Sequence, residues 1–329
     1  MSLSEYMEEL RNLDHEVTSA GLEQLSGLVG DDDRTFKSAW GAIPAERRLE
    51  LVGRLVDLVD DNAELDYHSV FCHALSDEEP GIRERATSGL WETDDRRTIP
   101  LLVDRLEHDS VDEVRAASAQ ALGHFAVLAD RGKLAPRDVT RVWEALKASV
   151  DDEDEPIMVR RRSLESIASF RAPEVRSWIQ WGFDHPEAML RQSALFAMGR
   201  SGDLAWMEIV LGEMESDDPA MRYEAANAAR EFGEEDALPA LTDLIHDIDS
   251  QVSLSALHAI AGIGGSKARG LLRTYANSAD DPVVQDAAAE ALEILEADAA
   301  DFSMMKLPGE PELDQDQDPD QDEDDDDDF

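Results

Sequence analysis

The residue types able to do chemistry are few and scattered along the chain. Eight histidines stand at His15, His68, His73, His108, His124, His185, His246 and His258. No two lie four residues apart on one helical face, the spacing by which a helix offers paired imidazoles to a metal ion. Cys72 is the single cysteine, so no disulfide forms within the chain. With His68 and His73 beside it, Cys72 could suggest a nucleophile and its base, but a small side chain buried on a helix is the simpler reading. Residues Gly262 to Lys267 read Gly-Ile-Gly-Gly-Ser-Lys. They lack the phosphate-loop spacing and any preceding strand, so they read as a turn between helices. Carboxylates are too abundant for any pair of them to be informative.

That abundance is itself the strongest compositional signal. There are 75 acidic and 30 basic residues, a formal net charge of -45. Glu310 to Asp328 hold 13 acids and no base, which leaves the remainder at 62 against 30, still -32. Nucleic-acid binding rests on cations that neutralise phosphates, so such a chain has little to offer a nucleic acid. The one local basic cluster is Arg160, Arg161 and Arg162, with Arg171 and Arg176 downstream. It reads either as a patch for an acidic partner or as a solvated helix face. The first 30 residues show no basic stretch followed by an apolar run, and nowhere do 18 apolar residues follow one another. The expectation is a cytoplasmic protein without signal peptide or membrane span.

The elements that must position any site follow from an internal repeat. An acidic turn, often with proline, precedes an apolar residue and then a position that is usually arginine: Arg83, Arg115, Arg160, Arg191 and Arg222. Ser253 and Gln285 keep the frame and lose the arginine. Successive spacings are 32, 45, 31, 31, 31 and 32 residues. Three residues after this position the side chain is always small: Ala86, Ser118, Ser163, Ala194, Ala225, Ala256 and Ala288. Seven after it comes Leu90, Leu122, Ile167, Met198, Ala229, Ile260 or Leu292. Positions -1, +3 and +7 share one helical face, and a small +3 residue lets a neighbouring helix come close. Pro80, Pro219 and Pro282 fit a first helical turn, and Asp77, Asp109, Asp184, Asp218 and Asp281 can cap. A short turn and a second amphipathic helix complete each unit. A single pair cannot bury its apolar face, so the pairs must stack.

A period near 31 built of Asp/Pro, apolar-Arg and a small residue resembles the HEAT-like repeats, in particular the short-repeat branch named after phycobilin lyases. The resemblance covers Leu65 to Ala297, about seven units. It implies an all-α, α-α superhelical solenoid in which the arginines tie repeat to repeat. Some enzymes resemble this fold, the deoxyhypusine hydroxylases, which use repeated His-Glu dipeptides to hold a di-iron site. This chain has one His-Glu, His15-Glu16, outside the repeats. The acid-rich composition, with 5 lysines against 25 arginines, resembles cytoplasmic proteins of salt-accumulating halophilic archaea. An acidic protein with a solvating tail is the other reading.

The expected organisation is an N-terminal helical cap (1–64), a repeat solenoid (65–297) and an acidic disordered tail (298–329). The 45-residue spacing places an insertion between Ala126 and Asp138. Positions +1 and +5 should point outward from the packed face, and there Phe196, Tyr223, Asn227, Leu254 and His258 are less charged and more aromatic than the rest. These five are the candidate partner-binding residues. The expected function is a scaffold or assembly factor that binds another protein on the concave face, without catalysis, cofactor, metal or membrane. The alternative is an enzyme-associated role such as a lyase or oxidoreductase subunit of the bilin-lyase-like branch. The acid excess also predicts a salt response. Raising KCl from about 0.1 M to about 3 M should raise the melting temperature, because the screening length shrinks to ~3 Å at 1 M and neighbouring carboxylates cease to repel. A melting curve that falls or stays level with salt would remove the halophilic reading.

Overall fold

The computed structural model describes residues 2–62, 64–279 and 281–305. Its described residues form α-helices and short 3-10 turns, with no strand. Four helices lead: α1 (Leu3–Glu9), α2 (Ser19–Leu22), α3 (Gly30–Trp40) and α4 (Ala45–Asp61). Seven helix pairs follow: α5 (His68–Ala74) with α6 (Pro80–Ser88), α7 (Ile99–His108) with α8 (Asp112–Asp130), and α9 (Pro136–Asp151) with α10 (Ile157–Ile167). The series continues with α11 (Pro173–Phe183) and α12 (Ala188–Ser201), then α13 (Met207–Glu213) and α14 (Pro219–Phe232). It closes with α15 (Leu238–Leu244) and α16 (Ser250–Ile263), then α17 (Gly265–Ser278) and α18 (Pro282–Met305). The expected all-α solenoid of seven pairs is therefore the observed fold. Of the acidic tail expected from residue 298, residues 298–305 belong to α18 and so are not disordered, and 306–329 lie outside the described residues.

Local chemistry starts and stops these helices as the sequence pattern requires. Pro80 and Pro219 occupy first-turn positions, where no N–H is needed. Asp218 and Asp249 cap α14 and α16 by accepting from the N–H groups of Ala220 and Gln251. Asp184 does not cap; its carboxylate accepts from Gln180, and the ring of His185 takes the N–H of Glu187 instead. Helices α12 and α14 end on Gly202 and Gly233 at φ +62° and +69°, a left-handed conformation that strains any side chain.

The second helix of each pair packs against its counterpart in the next pair, from α6 through α8, α10, α12, α14 and α16 to α18. Helix α4 joins the same row by packing on α6. The first helices of the pairs pack mainly on their own partners, although α7 and α9 also meet. A row whose members touch throughout follows the shorter arc, so the arginine-bearing helices form the inner face. Every +3 residue is fully buried, as are the -1 residues Ile82, Val114, Val159 and Leu190. Close approach is needed between these helices: a Cβ on Gly199 of α12 would lie 2.6 Å from Cα of Ala228 on α14.

The repeat arginines tie this row together in two ways. Their guanidinium groups reach back to carbonyls at the end of the preceding helix: Arg83 to Asp77, Arg115 to Asp109, Arg160 to Val150, Arg191 to His185 and Arg222 to Ser216. Those carbonyls have no partner within their own helix. Ser253 and Gln285, which replace arginine, do the same for Ile245 and Ala276. Three arginines also bridge forward to the next repeat. Arg83 clasps Asp109 through two 2.7 Å bonds, Arg222 clasps Asp247 at 2.6 and 2.8 Å, and Arg115 meets Glu155 at 2.8 Å. Arg160 instead lies over the ring of Trp181, 4.1 Å from its centroid. Arg48 of α4 pairs with Asp77, so the last helix of the N-terminal cap is bound to the array in the same manner.

The insertion is a helix extension. Helix α8 has 19 residues where α12, α14 and α16 have 14, and α9 has 16. The lengthened α9 carries Trp143 against Phe170 and Trp178, at 5.3 and 5.8 Å between centroids.

The clasp between repeats can be tested by breaking one. The Arg222 hydrogen bonds hold the Asp247 carboxyl below its ordinary range, against the cost of burial. A carboxyl with a lowered folded pKa adds stability above its unfolded value near 4, and that stability is lost as pH falls through the lower folded value. Asp247→Ala should cost about 1–3 kcal/mol at pH 7 by leaving Arg222 half-buried without its acceptor. The deficit should shrink as pH falls below the unfolded value near 4; a deficit that stays the same as the pH is lowered would show that the clasp is not the cause.

Candidate binding groove on the inner face

A depression with a volume of about 690 Å³ opens on the inner row. Helices α8, α10, α12 and α14 form its floor, because most residues one, five and nine past a repeat arginine face away from the packed core; Ala116, one past Arg115, is instead buried in it. The floor carries Arg161 and Glu165 of α10, Gln192 and Phe196 of α12, and Glu224 of α14. Trp91 and Met189 stand at its edge, 51% and 50% exposed. Four arginines line it: Arg131, Arg161, Arg162 and Arg200. Three carboxylates do so too: Glu92, Glu165 and Glu224.

A hydrogen-bonded chain fixes the centre. The Arg162 guanidinium donates to Glu165 Oε2 at 2.7 Å. The Ser193 hydroxyl donates to Glu165 Oε1 at 2.5 Å, and Arg161 donates to that hydroxyl at 3.3 Å. Burial pushes the Arg161 guanidinium below its ordinary value. Its Nε–H has no acceptor among the described residues, and the buried Ser169 hydroxyl on the same groove also lacks a partner. The sequence cluster Arg160 to Arg176 is thus divided. Arg161 and Arg162 face the groove, whereas Arg171 and Arg176 pair with Asp130 and Asp203 elsewhere.

The five candidate partner-binding residues are distributed over three helices. Phe196, Tyr223 and Asn227 line a second depression of about 420 Å³ between α12 and α14. It adjoins the first, sharing Phe196, Arg200 and Glu224. Arg200 lies over the Phe196 ring at 5.5 Å. Leu254 and His258 sit on α16 and line neither depression; Leu254 packs partly on the core, and His258 is exposed. Sequence reasoning missed Trp91, Met189 and Arg200. The +9 position of the repeat frame, where Arg200 and His124 stand, was the available signal.

Other candidate chemistry does not assemble. Cys72 Sγ lies 3.4 Å from Nε2 of His68, and Asp95 lies 3.2 Å from that same nitrogen. A relay needs the nucleophile on one ring nitrogen and the carboxylate on the other. Burial also pushes the Cys72 thiol up, away from thiolate. His15 of the single His-Glu contacts Glu9 in the N-terminal cap. Among the described residues no three His, Cys, Asp or Glu side chains are grouped to hold a metal ion, so the residues present do not fit a di-iron site. Gly264 and Gly265 form the turn between α16 and α17, and Lys267 pairs with Glu235.

Glu224 gives the groove a pH response. Burial, reinforced by Glu165, pushes its carboxyl from 4.5 up to about 7. The folded chain then keeps a proton that the unfolded chain releases, so stability falls as pH rises between these values. Glu224→Gln should remove that fall and gain on the order of 2–3 kcal/mol over the parent at pH 8, with little difference at pH 4. Parallel stability curves for the two proteins across this range would contradict the assignment.

Comparison with known proteins agrees with this architecture. The family described as HEAT repeats matches residues 62–123 and 207–293. The deoxyhypusine hydroxylase of Candida albicans is 22% identical over 199 residues, which cover 54% of this chain and 63% of that protein. The mouse deoxyhypusine hydroxylase is 26% identical over 97 residues, 29% of this chain and 32% of that one. The chain therefore spans less than two thirds of the length of these relatives. The complex of CpcE and CpcF of phycocyanin lyase from Nostoc sp. superposes with a TM-score of 0.51 at 16% identity, covering 87% of this chain and 98% of the other; at that identity the likeness is one of fold. No helix among the described residues is long and apolar enough to cross a membrane. With stacked helix pairs, a recurring arginine that satisfies the end of the preceding helix, and HEAT repeats matched in two segments, the chain carries HEAT repeats in a HEAT-like fold.

Proposed function

We propose that this protein is a scaffold that binds another protein along its inner face. The observation that carries the reading is the inner groove itself. With the adjoining depression it places exposed Trp91, Met189 and Tyr223 beside arginines in a chain with 75 acidic and 30 basic residues. Aromatic, Met and Arg side chains are the types enriched at the centres of protein interfaces. Large apolar groups left in water in this way mark a surface that another molecule covers.

The names of the Candida and mouse relatives favour a competing, enzymatic reading. The residues of this chain support it poorly, since its single His-Glu stands outside the repeats and its described side chains do not group around a metal. Purified protein that carries stoichiometric iron would favour the enzyme. An enzyme-associated role, as a subunit beside a catalytic partner, remains compatible with the same groove.

The scaffold reading is tested by capture from cell extract at high salt, followed by identification of what is retained. The double substitution Phe196→Ala and Tyr223→Ala should reduce the retained partner by about tenfold or more, as loss of two interface anchors does. The circular-dichroism melt of the variant should match the parent, since Tyr223 is 38% exposed. Retention unchanged in a folded variant would place the partner elsewhere.

A further inference from the structure

We infer that the groove across α8, α10, α12 and α14 takes an acidic segment of the partner, with carboxylates on its arginines and an apolar side chain against Trp91, Met189 and Phe196. This rests on the scaffold reading and adds the chemistry of what is bound. In a chain with 75 acids and 30 bases, the groove gathers four arginines against three carboxylates. One of those carboxylates, Glu165, is already engaged by Arg162 and Ser193. Among the described residues, Arg131, Arg161 and Arg200 have no carboxylate within ion-pair distance. Four arginines also meet three carboxylates in the depression lined by Arg96, Arg97, Arg137 and Arg141, but there Arg96, Arg97 and Arg137 lie within ion-pair distance of Asp95 or Asp138, so the groove is a place where an otherwise repelling surface turns receptive to negative charge.

Two buried donors point the same way. The Arg161 Nε–H and the Ser169 hydroxyl lie on the groove without acceptors, and Ser169 is only 8% exposed. A buried donor without an acceptor is costly, and a ligand oxygen at this place would remove that cost. Arginine presents its donors as a planar fork that matches a carboxylate, so the preferred ligand group is the side chain of Asp or Glu. A phosphate would satisfy the same fork. The exposed Trp91 and Met189 decide for a peptide, because they offer apolar surface that an isolated anion does not use.

The order of charges sets a further condition. Glu92, Glu165 and Glu224 repel an incoming carboxylate, and Glu224 repels it only when ionised. Arg161 and Arg162 face Glu224 from α10 and favour its ionisation, while Glu165 opposes it. Binding of an acidic segment should therefore strengthen as pH falls through neutrality and Glu224 takes up a proton.

The test is fluorescence anisotropy with the full chain and a labelled 12-residue peptide that alternates Glu with Leu, at the lowest salt that keeps the protein folded. A peptide with Gln in place of Glu and inorganic phosphate are the controls. The Glu peptide should bind, and the Gln peptide should bind about tenfold or more weakly. Arg161→Met and Arg200→Met should each weaken the Glu peptide by about the same factor, an effect of roughly 1.4 kcal/mol per tenfold. Arg200 is exposed, so its variant keeps the test valid should Arg161→Met fail to fold. Glu224→Gln should strengthen binding at pH 8. Equal binding of the Glu and Gln peptides, no binding of the Glu peptide, or full displacement by phosphate would each overturn the inference. If capture of the native partner is lost in the Phe196 and Tyr223 variant yet unchanged in both arginine variants, the scaffold stands and the acidic segment falls. If both sets leave capture unchanged, the inner face is not the binding surface.

Discussion

Close contact between successive inner helices is the constraint from which everything else in this molecule follows. A pair of helices of 7 to 24 residues has too little interior to fold alone. Its apolar face is covered only when the next pair comes near enough for small residues to meet. The fully buried +3 residues and Gly199 against Ala228 are where that approach is made. A larger side chain at any of these positions would part the helices and expose surface on both sides of the gap.

The arginines act on this packing as registration devices more than as sources of stability. A buried ion pair gains little over apolar packing once desolvation is counted. Its geometry, however, admits one register. Arg83 reaches Asp109 and a carbonyl of Asp77 together only when α6 sits correctly on both its neighbours. Ser253 and Gln285 keep the contact with the carbonyl and give up the clasp. The more widely kept task is therefore to satisfy the end of the preceding helix, and the link to the following repeat is added where a carboxylate is in reach.

The groove is a by-product of the same geometry. Side chains on the far face of the inner helices have no neighbour to pack on, so their types are free to vary. On α6 and α18 that freedom is filled partly with acid, as at Glu84, Asp286 and Glu290. Between α8 and α14 it brings Arg161, Phe196, Arg200 and Tyr223 to the surface, next to the helix lengthened by the insertion.

Much of the fold was legible in the order of residues. The repeat frame located the seven pairs, the buried -1, +3 and +7 face and the outward +1 and +5 positions, because helical periodicity maps sequence spacing directly onto direction. It also found Phe196, Tyr223 and Asn227 on one face. What periodicity cannot supply is which outward positions of different repeats converge. Trp91 of one pair and Met189 of another, three pairs further along, line one groove only because the stacked pairs bring them together, and that is set by packing summed over many contacts. Nor could spacing separate Arg161, desolvated at the centre of the groove, from Arg171 and Arg176, which belong to other surfaces. Burial and partner are properties of the assembled rod, so the directions of the side chains were written in the sequence, and their meeting was decided by the tertiary structure.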